Sequence, residues 1–238
     1  MKRILIIAAI IFAATISQAK AQVYSDIGIR AGVNFSVMPM DANVQNILGD
    51  PEFKLGFVLG LAWDIHFTDE VYLMSGLDLT QKGYKSKHSY SENVLGIPAS
   101  AELNMAANPL FLQVPLYFAY KIEIDRDTRF VPRIGPWIGY GVGGKLSMNA
   151  SAGILGFEAG GSLPDTDLFG DSGFMKNFNY GLGVGAGIEF GRLNFYLNYE
   201  LGLANLASDD LRTVFNLTGT DYSIKTNTVS IAVGYRIY

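Results

Sequence analysis

The chain of 238 residues contains no cysteine. This excludes disulfides, thiolate metal sites and a lipid-modified N-terminal cysteine. No stretch after Ala21 approaches the ~20 apolar residues that a membrane-spanning helix needs. Histidine is scarce as well, with two residues, which leaves little material for acid-base chemistry. The fold must therefore depend on backbone pairing and burial, and any membrane role must be carried by strands.

The first residues have the pattern of an export signal. Lys2 and Arg3 precede the apolar stretch from Ile4 to Ile16, and Ala19-Lys20-Ala21 forms a small-x-small cleavage pattern. An anchoring helix is the alternative, but the apolar run is shorter than the ~20 residues needed to span a bilayer. We expect residues 1–21 to be a cleaved signal peptide.

The charge of the remaining chain argues against one class of partner. Cleavage removes Lys2, Arg3 and Lys20 from the 18 basic residues and none of the 22 acidic ones, which leaves a net charge of −7. A surface that binds phosphate backbones needs the opposite balance. We therefore expect no nucleic-acid partner.

Alternation with a period of two residues is the dominant pattern. In one segment, Leu59, Leu61 and Trp63 alternate with small or charged residues such as Gly60 and Asp64, which is typical of a strand with one apolar face. Eight segments share this pattern: Ile27–Val37, Leu55–Phe67, Val71–Gly83, Leu110–Ile122, Phe130–Val142, Tyr180–Phe190, Leu193–Leu206 and Thr226–Tyr238. An even number of such strands can close into an up-and-down barrel.

The joins between the segments alternate in length. Three are short, at residues 68–70, 123–129 and 191–192, and are interpreted as hairpin turns. The other four are long: Met38–Phe53, Tyr84–Pro109, Gly143–Asn177 and Ala207–Lys225. Outer-membrane barrels have short periplasmic turns and long extracellular loops. Residues 22–238 are therefore predicted to form one domain, an all-β, eight-stranded antiparallel transmembrane β-barrel.

The composition of the two faces predicts how the barrel is oriented. The apolar faces carry Leu, Ile and Phe without charge, which suits lipid, and the glycine-rich faces suit a narrow lumen. A soluble lipocalin-like barrel with an apolar lumen is the alternative. Five aromatic residues near the short-turn ends are expected to form an interfacial girdle: Trp63, Phe67, Tyr120, Phe190 and Tyr235.

The inward faces carry charges of both signs, besides His66. They are Arg30, Asp64, Asp78, Lys82, Lys121, Arg133, Glu189, Glu200 and Arg236. Five are basic and four are acidic. An unpaired charge buried in the lumen would cost on the order of several kcal/mol, roughly as much as breaking a buried ion pair. We expect a salt-bridged network that plugs the barrel. A polar conduit through the lumen is the alternative.

Chemistry in the long joins has weak support. His88 lies near Ser86, Ser89, Ser91 and Glu92, so a lipid-modifying hydrolase is conceivable, but nothing fixes a base beside a nucleophile. Carboxylates in loops can bind calcium, yet their spacing here matches no ligand pattern. These are Asp41, Asp50, Asp165, Asp167 and Asp171. We expect no catalytic residues, no metal and no cofactor, and solvated loops.

Four short motifs resemble the PorT-like outer-membrane β-barrel family of the Bacteroidetes: Gly28–Ser36, Leu112–Leu116, Arg133–Gly139 and Val233–Arg236. The likeness covers nearly the whole chain after the signal. The name-giving member of that family belongs to a secretion and gliding apparatus, and most relatives have no assigned function. The resemblance implies an outer-membrane barrel and transfers no functional residues.

These observations predict a non-enzymatic barrel of the bacterial outer membrane that acts in structure or interaction through its extracellular loops. The four long loops, which carry Tyr90, Phe169, Phe174 and Tyr222, are expected to contact partners outside the cell. The alternatives are a component of a secretion or transport assembly and, less favoured, a lipid-modifying enzyme. Expected partners are outer-membrane lipid and lipopolysaccharide, the barrel-assembly machinery, and extracellular or envelope proteins.

Overall fold

A computed structural model describes residues 24–42, 44–45, 49–94, 97–154, 157–170, 173–209 and 222–238. Residues 1–21, the expected signal peptide, lie outside this part of the chain. Among the described residues, no helix has the length and apolar character to cross a membrane.

The described residues form fifteen strands. In chain order they are β1 (Tyr24–Val37), β2 (Lys54–His66), β3 (Val71–Gln81), β4 (Tyr84–Val94), β5 (Ile97–Ala107), β6 (Leu110–Pro115), β7 (Tyr117–Tyr120), β8 (Ile122–Asp125), β9 (Thr128–Gly143), β10 (Lys145–Ile154), β11 (Phe157–Ser162), β12 (Thr166–Asp167), β13 (Phe178–Phe190), β14 (Leu193–Gly202) and β15 (Asn227–Arg236).

Ten of these strands close into a barrel. β1 pairs with both β2 and β15, and β9 pairs with β13, so the sheet has no free edge. All pairings are antiparallel. The short strands β6, β7 and β8 follow one another in a single line and together cross the wall once. We call each such crossing of the wall, whether made by one strand or by several, a stave. Counting that stave once gives eight, which confirms the predicted eight-stranded barrel.

The fourth stave is broken, unlike the continuous strand predicted over Leu110–Ile122. Pro115 has no N–H to donate to a neighbouring strand. The next N–H, that of Leu116, donates to the carbonyl of Pro136 in β9 at 2.9 Å. On the other side, β3 pairs with β6 over residues 78–81 and with β7 over residues 71–74. Residues 75–77 between them have no partner in this stave among the described pairings, and Gly76 has a φ of 141° there.

Side chains alternate across the wall as the sequence predicts. In β2, Leu59, Leu61 and Trp63 point outwards, whereas Asp64 and His66 are buried in the lumen. Large apolar side chains are exposed on every stave. A barrel whose wall is apolar outside and polar inside requires lipid around it, so the lipocalin-like alternative is wrong.

Two of the long joins are not irregular loops. Residues from Tyr84–Pro109 and Gly143–Asn177 form a second sheet in the order β11-β10-β5-β4, with β12 also paired to β10. We call this the outer sheet. The expectation of solvated loops was wrong for these segments because their alternation mixes small residues with Ser and Asn, which gives little contrast in hydropathy.

Candidate functional site

The lumen holds the nine charged residues that sequence analysis placed there. Eight of them are buried, and Arg236 is half-buried at the short-turn end. The structure divides them among three levels along the barrel axis, and each level has its own hydrogen-bond network.

The network nearest the long joins is built around Glu200. Its carboxylate accepts hydrogen bonds from Lys82 Nζ at 2.8 Å, Gln113 Nε2 at 2.8 Å and the Tyr117 hydroxyl at 2.7 Å. The Lys82 ammonium also lies 3.9 Å from the centre of the Trp137 ring. Lys82 is only 2% exposed, so this ion pair is held away from water.

The middle level contains two arginines with different partners. Arg30 Nε donates to Asp78 Oδ1 at 2.5 Å. Arg133 instead donates to Asn198 Oδ1 at 2.6 Å and to Met74 Sδ at 3.0 Å, and its guanidinium lies 4.1 Å from the Tyr196 ring centre. Arg133 is therefore held by neutral groups and an aromatic face, and its Nη2 has no hydrogen-bond partner among the described residues.

The third level, at the short-turn end, depends on a residue that sequence analysis missed. Asp26 Oδ2 lies 2.8 Å from Arg236 Nε and 3.0 Å from His66 Nε2. Arg236 also reaches Glu189 at 3.4 Å. The alternating segment predicted from the sequence begins at Ile27, one residue after Asp26. The even-numbered residues of β1 point inwards, so Asp26 also faces the lumen. With Asp26, the lumen has five acidic groups against five basic ones.

Three of the nine lumenal charges have no ion pair among the described residues. Asp64 has one carboxylate oxygen without a hydrogen-bond partner there. Lys121 lies over the Tyr72 ring, 4.9 Å from its centre, and Arg133 has the neutral partners given above. The network is thus partly salt-bridged and partly built from tyrosine faces and amides.

Little space remains inside the barrel. Two lumenal cavities measure about 10 and about 30 Å³, which is room for a water molecule or two. The first is lined by Asp64 and Asn194, each with one unpartnered buried oxygen, and the second by Arg30, Tyr117 and Glu200.

Four of the five predicted girdle residues are exposed on the outer wall near the short turns: Trp63, Tyr120, Phe190 and Tyr235. The fifth, Phe67, follows the end of β2 and is half-buried in the turn, where its N–H donates to the Val71 carbonyl at 2.9 Å.

A separate apolar cluster covers the opposite mouth of the barrel. We call it the cap core. Every long join contributes to it, and its buried members are Met38, Val44, Tyr84, Met105, Ala107, Phe111, Leu146, Leu168, Met175, Ala204, Leu206, Ala207 and Ile224. Phe169, Phe174 and Tyr222 are partly buried and pack against it. The Tyr90 side chain lies outside the described part of the structure.

The outer sheet extends from the cap core and has two different faces. Tyr84, Met105 and Leu146 lie on one face and are buried in the cap core. Farther out, no described residue covers the same face, which forms an open groove of about 460 Å³. Residues of four strands line the groove, among them His88, Ala101, Leu103, Ala150, Ala152 and Ala159.

The other face of the outer sheet is polar. Lys87 Nζ lies 2.9 Å from Glu102, whose carboxylate also accepts a hydrogen bond from Asn104 at 2.6 Å. The Asn104 amide and then Lys87 lower the pKa of Glu102. Because β4 is a strand, Ser86 and His88 lie on the groove face, whereas Ser89 and Ser91 lie on the polar face. The serine and histidine residues of the hydrolase alternative are thus divided between the two faces of the outer sheet.

No cluster of three or more metal-ligating side chains occurs in the described residues. Asp165 lies 4.0 Å from Lys145, and Asp50 accepts a hydrogen bond from Gln45 at 2.7 Å. Asp171 lies outside the described residues. Asp165 and Asp50 therefore have separate polar partners.

Comparisons with known proteins identify one family and several similar solved structures. The family described as the outer membrane protein β-barrel domain matches residues 16–208. Among solved structures, Ail, the attachment invasion locus protein of Yersinia pestis, is 15% identical with a TM-score of 0.32, and the neisserial surface protein A is 10% identical with a TM-score of 0.36. Each alignment covers 90% of this chain and 99% of the other. No curated protein matches the chain.

The family match spans most of the chain, and the closed barrel has the lipid-facing wall that such a protein requires. The chain therefore belongs to the outer membrane protein β-barrel domain family and is a protein of the bacterial outer membrane.

Proposed function

We propose that this protein is a non-enzymatic barrel that acts in structure or interaction at the cell surface, with a lumen that is plugged. The observation that carries the proposal is the contrast within one face of the outer sheet. Its inner part is covered by the cap core, and its outer part is an uncovered apolar groove. Uncovered apolar surface rimmed by polar residues is typical of interaction sites.

The filled lumen supports a barrel without a transport route through its interior. The cavities of about 10 and about 30 Å³ are far smaller than an aqueous channel, and the cap core closes one mouth. Planar-bilayer recordings test this part: we expect no steady single-channel current from the pure protein. Sizeable, reproducible currents would contradict it.

A shortened variant tests the interaction. Ser86 and Met105 are opposite each other in the β4–β5 register and form a hydrogen-bonded pair, so residues 87–104 can be replaced by an Asn-Gly turn without disturbing the strands below. We expect normal insertion and heat-modifiable migration, and loss of surface crosslinks to extracellular partners in intact cells. If every crosslink is retained, the outer sheet is not the interaction site.

A role in a secretion or transport assembly is the second candidate. The short-turn rim or the lipid-facing wall, rather than the outer sheet, would then bind the partners. Under this candidate, crosslinks would join the protein to envelope components and would survive shortening of the outer sheet.

A further inference from the structure

The outer edge of β4 is open beside the groove. The N–H and carbonyl of Lys85 both bond to Glu52, at 3.4 and 2.7 Å, on the side of β4 away from β5. In an antiparallel ladder, every second residue presents both groups to the same side. Lys87, Ser89 and Ser91 therefore present theirs to this edge, and none of the residues in the described ranges pairs with them there.

The segment that pairs with Lys85 does not continue along the edge. Before Glu52, Gly49 has a φ of 80° and its N–H donates to the Gln45 carbonyl at 2.8 Å. A Cβ on Gly49 would lie 3.3 Å from the Ser86 side chain, so Gly49 lies against the groove face of β4 rather than along its edge. One rung of an added strand is thus occupied, and no described residue occupies the rungs at Lys87, Ser89 and Ser91.

The occupied rung shows which chemistry the edge accepts. The Glu52 carboxylate lies 3.6 Å from Lys85 Nζ, so the paired residue brings an acid to a lysine. Lys87 lies on the same face two residues farther along, and its side chain is 54% exposed. A lysine on an edge strand disfavours pairing with arbitrary strands because of its charge. A strand that places a carboxylate opposite the lysine gains an attractive pair and is therefore favoured.

The groove determines the other half of the pattern. An added strand would direct alternate side chains to the face of His88, Ala101 and Leu103, where the groove is lined mainly by small apolar residues. Small apolar side chains would extend this surface, and the residues between them would lie beside Lys85 and Lys87.

We infer that the open edge of β4 binds an extended polypeptide whose acidic residues alternate with small apolar ones. The backbone of Lys87, Ser89 and Ser91 supplies the hydrogen bonds, Lys87 selects an acidic residue beside it, and the groove takes the apolar positions. This inference rests on the proposed interaction function and names the class of partner.

Two fluorescent peptides of equal composition test the pattern: Ac-AEAEAEA-NH2 and Ac-AAAAEEE-NH2. Their binding to the full barrel in lipid nanodiscs is measured by anisotropy. We expect the alternating peptide to bind at least tenfold more tightly than the blocked one, and backbone N-methylation on its edge-facing residues to abolish the difference. Equal affinity for the two peptides would overturn the inference.

Ser89→Pro tests the edge itself. It removes one outward N–H but none of the β4–β5 hydrogen bonds, and proline is tolerated on edge strands. We expect at least a tenfold loss of affinity for the alternating peptide, with Ser89→Ala, which keeps the N–H, within twofold of the natural protein. Lys87→Gln should weaken binding about threefold, because a solvent-exposed ion pair contributes modestly. Affinities unchanged by both Ser89→Pro and Lys87→Gln would also contradict the inference.

Two further outcomes assign the surface differently. Self-association in nanodiscs that Ser89→Pro abolishes would make a second copy the occupant and overturn the inference. If the shortened variant loses its cellular crosslinks while Ser89→Pro keeps them and the peptides do not bind, the proposed function stands and the edge-binding inference fails.

Discussion

The lumen and the cap core are two interiors of opposite chemistry in one chain. The lumen is filled by ten charged groups with their tyrosine and amide partners, whereas the cap core consists of apolar side chains from all four long joins. The difference follows from what surrounds each region. Lipid covers the wall, so polar side chains can only turn inwards, and water covers the joins, so apolar side chains turn inwards there.

The change of chemistry occurs within two residues on one face. Lys82 is buried in the lumen against Trp137, and Tyr84, which follows on the same side of the chain, is buried in the cap core. The Lys82–Glu200 network is thus the last polar level below an apolar seal. Substitutions on either side of this boundary should have effects of different origin.

The largest effect is expected from Glu200→Gln. It leaves the buried Lys82 ammonium without a carboxylate, which should lower the free energy of unfolding by about 3 to 5 kcal/mol. Urea-induced unfolding from lipid vesicles measures this loss. Adding Lys82→Met to the variant should recover part of it, since the stranded charge is removed.

Glu52→Gln is the matched control, because its partner Lys85 is exposed and such pairs contribute about 1 kcal/mol or less. An equal loss in the two single variants would show that burial of the Lys82–Glu200 pair is unimportant.

A somewhat smaller effect is expected in the cap core from Leu206→Ala. Leu206 is fully buried, and a cavity of this kind costs about 3 kcal/mol. The loss should fall on the cap rather than the barrel, so limited proteolysis at the extracellular side should accelerate while heat-modifiable migration stays unchanged. Loss of both would mean that the two interiors unfold as one unit.

The smallest effect is expected where the two interiors meet, from Gly141→Ala. A Cβ on Gly141 would lie 2.4 Å from the Phe169 ring, which packs edge-on against Phe111 at 5.5 Å. Displacing this ring should cost about 1 to 2 kcal/mol, measured by the same urea transition. Gly143→Ala is the control, because a Cβ there meets nothing within 4 Å. Equal stability of the two variants would contradict this packing.

The sequence predicted the wall better than either interior. Alternation and join length gave the eight staves, because lipid imposes a strict two-residue period on each of them. Parity also placed Arg30, Asp78 and Lys82 inwards. Alternation does not reveal the break at Pro115, because proline keeps the two-residue pattern of side chains while it lacks the N–H that a continuous ladder needs.

Partners across the lumen could not be predicted from one sequence. Lys82 and Glu200 are 118 residues apart, and their meeting depends on the stagger with which the barrel closes. Alternation fixes the face of each side chain but not its height along the axis. The cap core was missed for a related reason: each long join contributes a few apolar residues, and only their convergence over the mouth makes a cluster.

Oxygen accessibility of single spin labels in β2 tests the central claim most directly, namely that the wall is apolar outside and polar inside. The chain has no cysteine, so each variant at positions 58, 59, 61 and 62 carries one reactive thiol. In lipid vesicles, labels at Leu59 and Leu61 should collide frequently with oxygen, and labels at Val58 and Ala62 rarely. Frequent collisions at Val58 and Ala62 instead would contradict the account.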